Sequence, residues 1–185
     1  MDEIEVQLAP LVPAAQRGDR AALQQLVGLI HPFVVRYCRA RIGSVQHVTA
    51  DDVAQEVSLA VATSISRYVN RGKPFMAFVY GIASHKVADA HRARGRDRTN
   101  PVDEIPESVD QGVTPEERTL QIDSSNRMMQ LLDELSDKAR EIVILRVLVG
   151  LSADETAEIV GSNAGAVRVA QHRALEKLRK LLAEQ

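Results

Sequence analysis

The apolar positions of this chain recur at helical spacing in four stretches. Between Ala21 and Tyr37, Leu23, Leu26, Val27, Ile30 and Val34 fall on one side of a helix, with Pro32 marking a kink or a boundary. Thr49 and Asp52 form a T-x-x-D start signal, and the helix predicted from about Ala50 carries Val53, Val57, Ala60, Val61 and Ser64 on its core side. A long helix is predicted from Phe75 to about Arg94, with Phe75, Phe78, Val79 and Ile82 as its stripe. The last quarter reads as two helices joined by a tight turn. Ser152 and Glu155 make a capping box for the first, which runs to about Val160. Gly161 stands where a helix end needs a left-handed residue, and Ser162 or Asn163 caps the second. That second helix places Val167, Ala174, Leu175, Leu178 and Leu182 on one side and Arg168, Val169, His172, Arg173 and Arg179 on the other. One face packs, and the other is free to meet DNA.

Among the 185 residues there is no Trp, and Gly and Pro lie in short breaks rather than in strand-bounding clusters, so an all-α fold follows. Between Thr99 and Ser125, Pro101, Pro106 and Pro115 interrupt any helix while Asp103, Glu104, Glu107, Asp110, Glu116 and Glu117 gather negative charge. The expected organisation is therefore two small helical domains, residues 1–98 and 125–185, joined by an acidic, Pro-containing linker at 99–124.

Cys38 is the only cysteine, which excludes an internal disulfide, and it reads as a small buried apolar residue beside Tyr37 and Ile42. The sequence opens without a signal peptide and holds no apolar run long enough to span a bilayer, so a reducing cytoplasm is the expected location. His85 and His91 differ by six positions, which does not bring them together on a helix, and no metal site or cofactor is expected.

Charge adds two candidate nucleic-acid surfaces. The whole chain has a formal net charge of -2, yet from Ser162 to Leu182 five cations oppose the single acid Glu176. Such a local excess suits phosphate contacts, although an amphipathic helix often carries a basic face only as a solvated surface. The second surface joins the polar, basic loop Arg67 to Lys73, with Asn70 and Arg71, to the carboxyl end of the long helix, with His85, Lys86 and Arg92. Cations at a helix C-terminus also complement the helix dipole, which explains part of that cluster. On the helix from Ala50, Asp52, Glu56 and Leu59 share the outer side, with Asp51 and Gln55 beside them. An exposed leucine framed by carboxylates resembles a protein-docking surface, while simple helix solubility explains the acids equally well.

Three segments in order, DDVAQEVSLAVATSISRY, PFMAFVYGIASHKVADAHRAR and LLDELSDKAREIVILRVLVGLSADETAEIVGSNAGAVRVAQHRALEKLRKLL, resemble the two domains of the extracytoplasmic-function sigma factors. The resemblance covers nearly the whole chain. It implies that Asp51, Asp52, Gln55, Glu56 and Leu59 dock on the clamp helices of the RNA polymerase beta-prime subunit. It implies that Arg67, Asn70, Arg71, Lys73, His85, Lys86 and Arg92 meet the promoter minus-ten element, where a flipped base is trapped. It further implies that the C-terminal domain sits on the beta flap, with Ser162, Asn163, Arg168, Val169, His172 and Arg173 at the minus-35 major groove. An anti-sigma protein, often membrane-anchored, is the implied regulator, with no membrane insertion by this chain. The sequence departs from the family at Ala77, where a Trp is usual nearby, at His85, where an Asn is usual, and at Val169 and Ala170, which are often polar or basic.

Two other functions compete. A free-standing dimeric helix-turn-helix regulator uses the last third of the chain but leaves the acidic face and the basic loop idle. A helical enzyme holding Mg²⁺ on Asp51, Asp52 and Glu56 lacks a second acidic cluster on a core helix.

Overall fold

The computed structural model describes residues 2–42, 47–97 and 127–183. The acidic linker and its boundaries, 99–124, lie outside the described residues. Every regular element among the described residues is helical: α1 (Asp2–Gln16), α2 (Arg20–Ile42), α3 (His47–Ser64) with a 3₁₀ turn at Ile65–Arg67, and α4 (Phe75–Asp97). After the linker come a short helix α5 (127–133), α6 (Asp137–Val143) continuing as a π-helical segment Ile144–Val149, α7 (Ala153–Ile159) and α8 (Ala164–Ala183).

The first four helices enclose one core. Leu8 of α1, Leu26, Ile30 and Val34 of α2, Val57 and Val61 of α3, and Met76, Val79 and Val87 of α4 are all fully buried. Each such side chain contributes about 1.5–3 kcal/mol. The predicted stripes thus face inward, and Cys38 is buried among them. Smaller contacts secure the last helices: Ile142, Ala153, Ala157 and Val167 pack together. The main core does not stop at the linker, because Leu132, Leu135, Val143, Ile144, Leu145 and Leu151 belong to it. The two halves are packed on one another.

Four local expectations change. The amino-terminal helix α1 has no counterpart in the periodicity reading; it keeps Pro10 and Pro13 on its exposed side while Ile4, Leu8, Val12 and Ala15 bury its inner stripe. Pro32 neither bounds nor breaks α2, which continues ten residues beyond it to Ile42, carried by the burial of Val34, Tyr37 and Cys38. The helix with the acidic face begins at His47, so Thr49 lies inside α3 instead of capping it. Leu182 is 51% exposed, since α8 extends past the elements that cover Val167 and Ala174.

Candidate functional site

The first surface lies on α3. Asp52, Gln55, Glu56 and Leu59 are exposed, and Leu59 shows 66% of its surface. Because Val53, Val57 and Val61 are locked into the core, the helix period forces 52, 56 and 59 outward. Asp51 sits at the margin, drawn toward α2 by a two-pronged pair with Arg39, at 3.0 and 3.1 Å. Glu56 receives Lys86 Nζ of α4 at 3.1 Å. The acidic face and the basic face of α4 therefore adjoin, and two of the three acids of the magnesium alternative already hold cationic partners. Among the described residues no group of three potential metal ligands comes together.

The second surface surrounds the loop between the 3₁₀ turn and α4. Arg67, Asn70, Arg71 and Lys73 are all exposed. Asn70 Oδ1 accepts the backbone N–H of Gly72 at 2.9 Å, and Gly72 takes a φ of +73°, which closes a tight turn. Under the loop, the Tyr68 ring meets Phe75 edge-on at 5.1 Å and Phe78 at 4.9 Å. Burial, then the Glu5 carboxylate, raises the Tyr68 pKa. His85 is exposed on α4, and Arg92 is exposed but paired with Asp89 one turn before it.

A cleft of about 320 Å³ opens beside this loop. Arg71, Lys73, Tyr68 and Phe78 line one side and Glu155 and Glu158 of α7 the other. Ala77, where the resembling family has a nearby Trp, also lines it. Lys73 pairs directly with Glu158 across the opening.

The third surface is the helix-turn-helix. Glu155 N–H donates to Ser152 Oγ at 3.2 Å and Ser152 N–H to Glu155 Oε2 at 2.7 Å, the reciprocal capping box expected from the sequence. Gly161 turns the chain with φ +59°. Of the two cap candidates for α8, Asn163 is the one that acts, accepting Ala166 N–H at 2.8 Å. Val167 and Ala174 face inward, which leaves Ser162, Arg168, His172 and Arg173 exposed, with Val169 51% exposed among them. His172 lies 3.5 Å from Glu176, its neighbour one turn on. Arg146, at the π-helical segment, ties α8 back through Gln171 at 3.0 Å.

Between the halves lies a polar cluster that periodicity cannot find. Glu141 of α6 is 9% exposed and accepts from Tyr37 Oη of α2 and Ser84 Oγ of α4. Arg41, also buried, approaches Glu141 at 3.6 Å and donates to the Asp137 carbonyl at 3.3 Å. Burial and then the Glu141 charge raise the Tyr37 pKa above the ordinary tyrosine value. Two α1 residues were likewise invisible to pattern reading. Glu5 accepts the N–H groups of Phe75 and Met76, and Gln16 donates to the Tyr68 carbonyl.

Residues 26–97 match the Sigma-70 region 2 family and residues 125–178 the Sigma-70, region 4 family. The chain is 57% identical over 174 residues to the ECF RNA polymerase sigma factor SigD of Mycobacterium tuberculosis, covering 93% of this chain and 82% of that protein. It is 46% identical over 191 residues to the ECF RNA polymerase sigma factor ShbA of Streptomyces griseus, covering 100% and 98%. Its fold is similar to that of CnrH, solved in complex with the cytosolic domain of CnrY, with a TM-score of 0.70, 24% identity and coverage of 95% and 96% of the two chains.

Proposed function

The chain belongs to the extracytoplasmic-function sigma factors of RNA polymerase, and on that premise we propose how its surfaces divide the work of promoter-specific transcription initiation. The α3 face, with Leu59 at its centre and Asp52, Gln55 and Glu56 around it, docks on the clamp helices of the beta-prime subunit. Asp51 flanks that contact through Arg39. Arg67, Asn70, Arg71 and Lys73, with His85, Lys86 and Arg92 of α4, take the minus-ten element. The C-terminal domain rides on the beta flap and presents Ser162, Asn163, Arg168, Val169, His172 and Arg173 to the minus-35 major groove.

There Arg173 suits bidentate contact with guanine and Val169 suits a thymine methyl. The chain performs no covalent chemistry; it works in the cytoplasm by lending recognition to core enzyme. A membrane-anchored anti-sigma protein that covers the docking faces is the regulator this reading expects.

One observation carries the docking assignment. Leu59 stands 66% exposed on a helix whose opposite face is wholly buried, framed by acids at one-turn spacing. A dimeric operator-binding regulator has no use for that patch. The experiment is reconstitution: purified protein with core polymerase starts transcripts at a defined promoter, and neither does so alone. Asp52→Arg is expected to weaken core binding and Arg173→Ala to weaken minus-35 binding. Absence of core binding, or equal loss of both functions in both variants, overturns the assignment.

A further inference from the structure

Helix α4 begins directly after Pro74, whose carbonyl accepts Ala77 N–H at 3.0 Å. Proline at that position has no side-chain acceptor, so the first N–H groups of α4 have no local cap. They are capped from another helix. Glu5 of α1 accepts Phe75 N–H through Oε2 at 2.9 Å and Met76 N–H through Oε1 at 2.8 Å. A carboxylate is well matched to that position, because its charge meets the positive end of the helix dipole.

The other end of the same loop is held by the same helix. Gln16 Nε2 donates to the Tyr68 carbonyl at 2.6 Å. Glu5 and Gln16 are eleven residues apart, close to three full turns, so both project from one stripe of α1 about 16 Å apart. Ile4, Leu8, Val12 and Ala15, all buried, fix the rotation of α1 about its axis. Gln16 therefore fixes where the loop starts and Glu5 where it stops, with Arg71 and Lys73 between. Residues 2–16 fall outside the 26–97 match to region 2.

We infer that α1 is a two-point clamp that sets the conformation of the minus-ten loop, with Glu5 and Gln16 as positioning residues for strand recognition. This rests on the reading of residues 67–73 as the minus-ten loop. Neither side chain needs to touch DNA. They act through the backbone that carries Asn70, Arg71 and Lys73.

The test uses holoenzyme assembled from the full chain and core polymerase. Its probe is the non-template oligonucleotide spanning the minus-ten element of a promoter located by transcript-start mapping with that enzyme. Glu5→Ala, which uncaps α4, and Gln16→Ala, which removes the donor to the Tyr68 carbonyl, are each expected to weaken oligonucleotide binding by up to about ten-fold. Glu5→Gln, which keeps one acceptor oxygen, is expected to lose less. Core affinity and binding of a minus-35 duplex stay at the wild-type level.

Val12→Ala serves as the packing control, since it loosens α1 but keeps both hydrogen-bonding side chains. Wild-type oligonucleotide binding by Glu5→Ala and Gln16→Ala, with Arg71→Ala and Lys73→Ala impaired, overturns the clamp and leaves the loop reading standing. Wild-type binding by Arg71→Ala and Lys73→Ala overturns the loop reading itself and the clamp with it. A loss equal to that of Val12→Ala, spread over core, duplex and oligonucleotide alike, assigns α1 to general stability and overturns the clamp.

Discussion

The hydroxyl of Tyr37 donates a 2.9 Å hydrogen bond to Glu141, 104 positions further along the chain, and so joins the region 2 match to the region 4 match inside a buried interface. With Ser84 and Arg41 around the same carboxylate, this cluster is what makes the packed arrangement specific, since apolar contact alone tolerates sliding. On the proposed assignment of the first half to minus 10 and the second to minus 35, elements that lie far apart on a duplex, two-point recognition calls for the halves to separate. Tyr37→Phe keeps the ring and removes the donor, at a cost of about 1.5 kcal/mol to the packed state. Apparent affinity for core polymerase is then expected to rise, up to about ten-fold, because a larger fraction of the protein is already open. Fluorescence transfer between labels on α3 and α8 reports the opening independently. Unchanged transfer and unchanged core affinity would falsify this linkage.

Alkaline pH probes the same core. Burial pushes the Cys38 thiol up to about 12, with the Asp51 carboxylate adding to it, and burial pushes Tyr80 up to about 12. A group whose folded pKa exceeds its unfolded value stabilises the fold fully below the unfolded pKa, and that contribution disappears as pH rises through the folded one. Stability against urea should therefore hold to about pH 8.5 and fall above it, at first through Cys38 and then through Tyr80 and Tyr37. Each group adds about 1.4 kcal/mol per pH unit to the slope within its window. Cys38→Ala should flatten the portion between about pH 9 and 10, before the tyrosines engage. An unaltered slope there would remove Cys38 from the account.

What the sequence discloses and what it withholds divide along range. The capping box at Ser152 and Glu155, the buried run Val53, Val57 and Val61, and the exposure of Leu59 all depend on spacing within a few turns, and the structure has each of them. Proline punctuation misleads where tertiary burial outweighs it: α2 passes through Pro32 and α1 through Pro10 and Pro13. Glu5 and Gln16 cannot be found by periodicity, because their partners lie 70 and 52 positions away. Glu141 lies on the inward face of α6, where pattern reading expects an apolar residue, and its partners come from α2 and α4. The exposed recognition positions were visible from the amphipathic pattern of α8. The residues that orient the surfaces were not, since orientation is set by contacts between helices.

The turn between α7 and α8 offers a sharper test of the DNA-reading geometry. Gly161 has φ +59°, a conformation that costs a side-chain-bearing residue about 1 kcal/mol or more, although a Cβ there meets no atom within 4 Å. Gly161→Ala should therefore destabilise by strain alone. Asn163→Ala should cost about 1 kcal/mol by uncapping α8. Both are expected to lower the thermal midpoint by several degrees, and both to weaken minus-35 duplex binding, Asn163→Ala the more because Asn163 is also placed at the groove. Full duplex affinity in a destabilised Gly161→Ala protein would show that the turn does not set the angle of α8.

The pair between Lys73 and Glu158 separates stability from access. Both side chains are largely exposed, so their attraction is screened and contributes at most about 1 kcal/mol. Removing it should leave the urea midpoint almost unchanged. Its effect on DNA is expected to differ, because in the packed protein Glu158 and Glu155 place carboxylates opposite Arg71 and Lys73, the cations that the proposed function assigns to the minus-ten strand. Glu158→Ala should accordingly increase binding of the minus-ten oligonucleotide by the free protein, and the increase should shrink as salt rises, since both the pair and the phosphate contact are electrostatic. In holoenzyme, with the halves apart, the same substitution should change little. An equal gain in free protein and holoenzyme would mean that Glu158 repels the strand directly and does not mask Lys73.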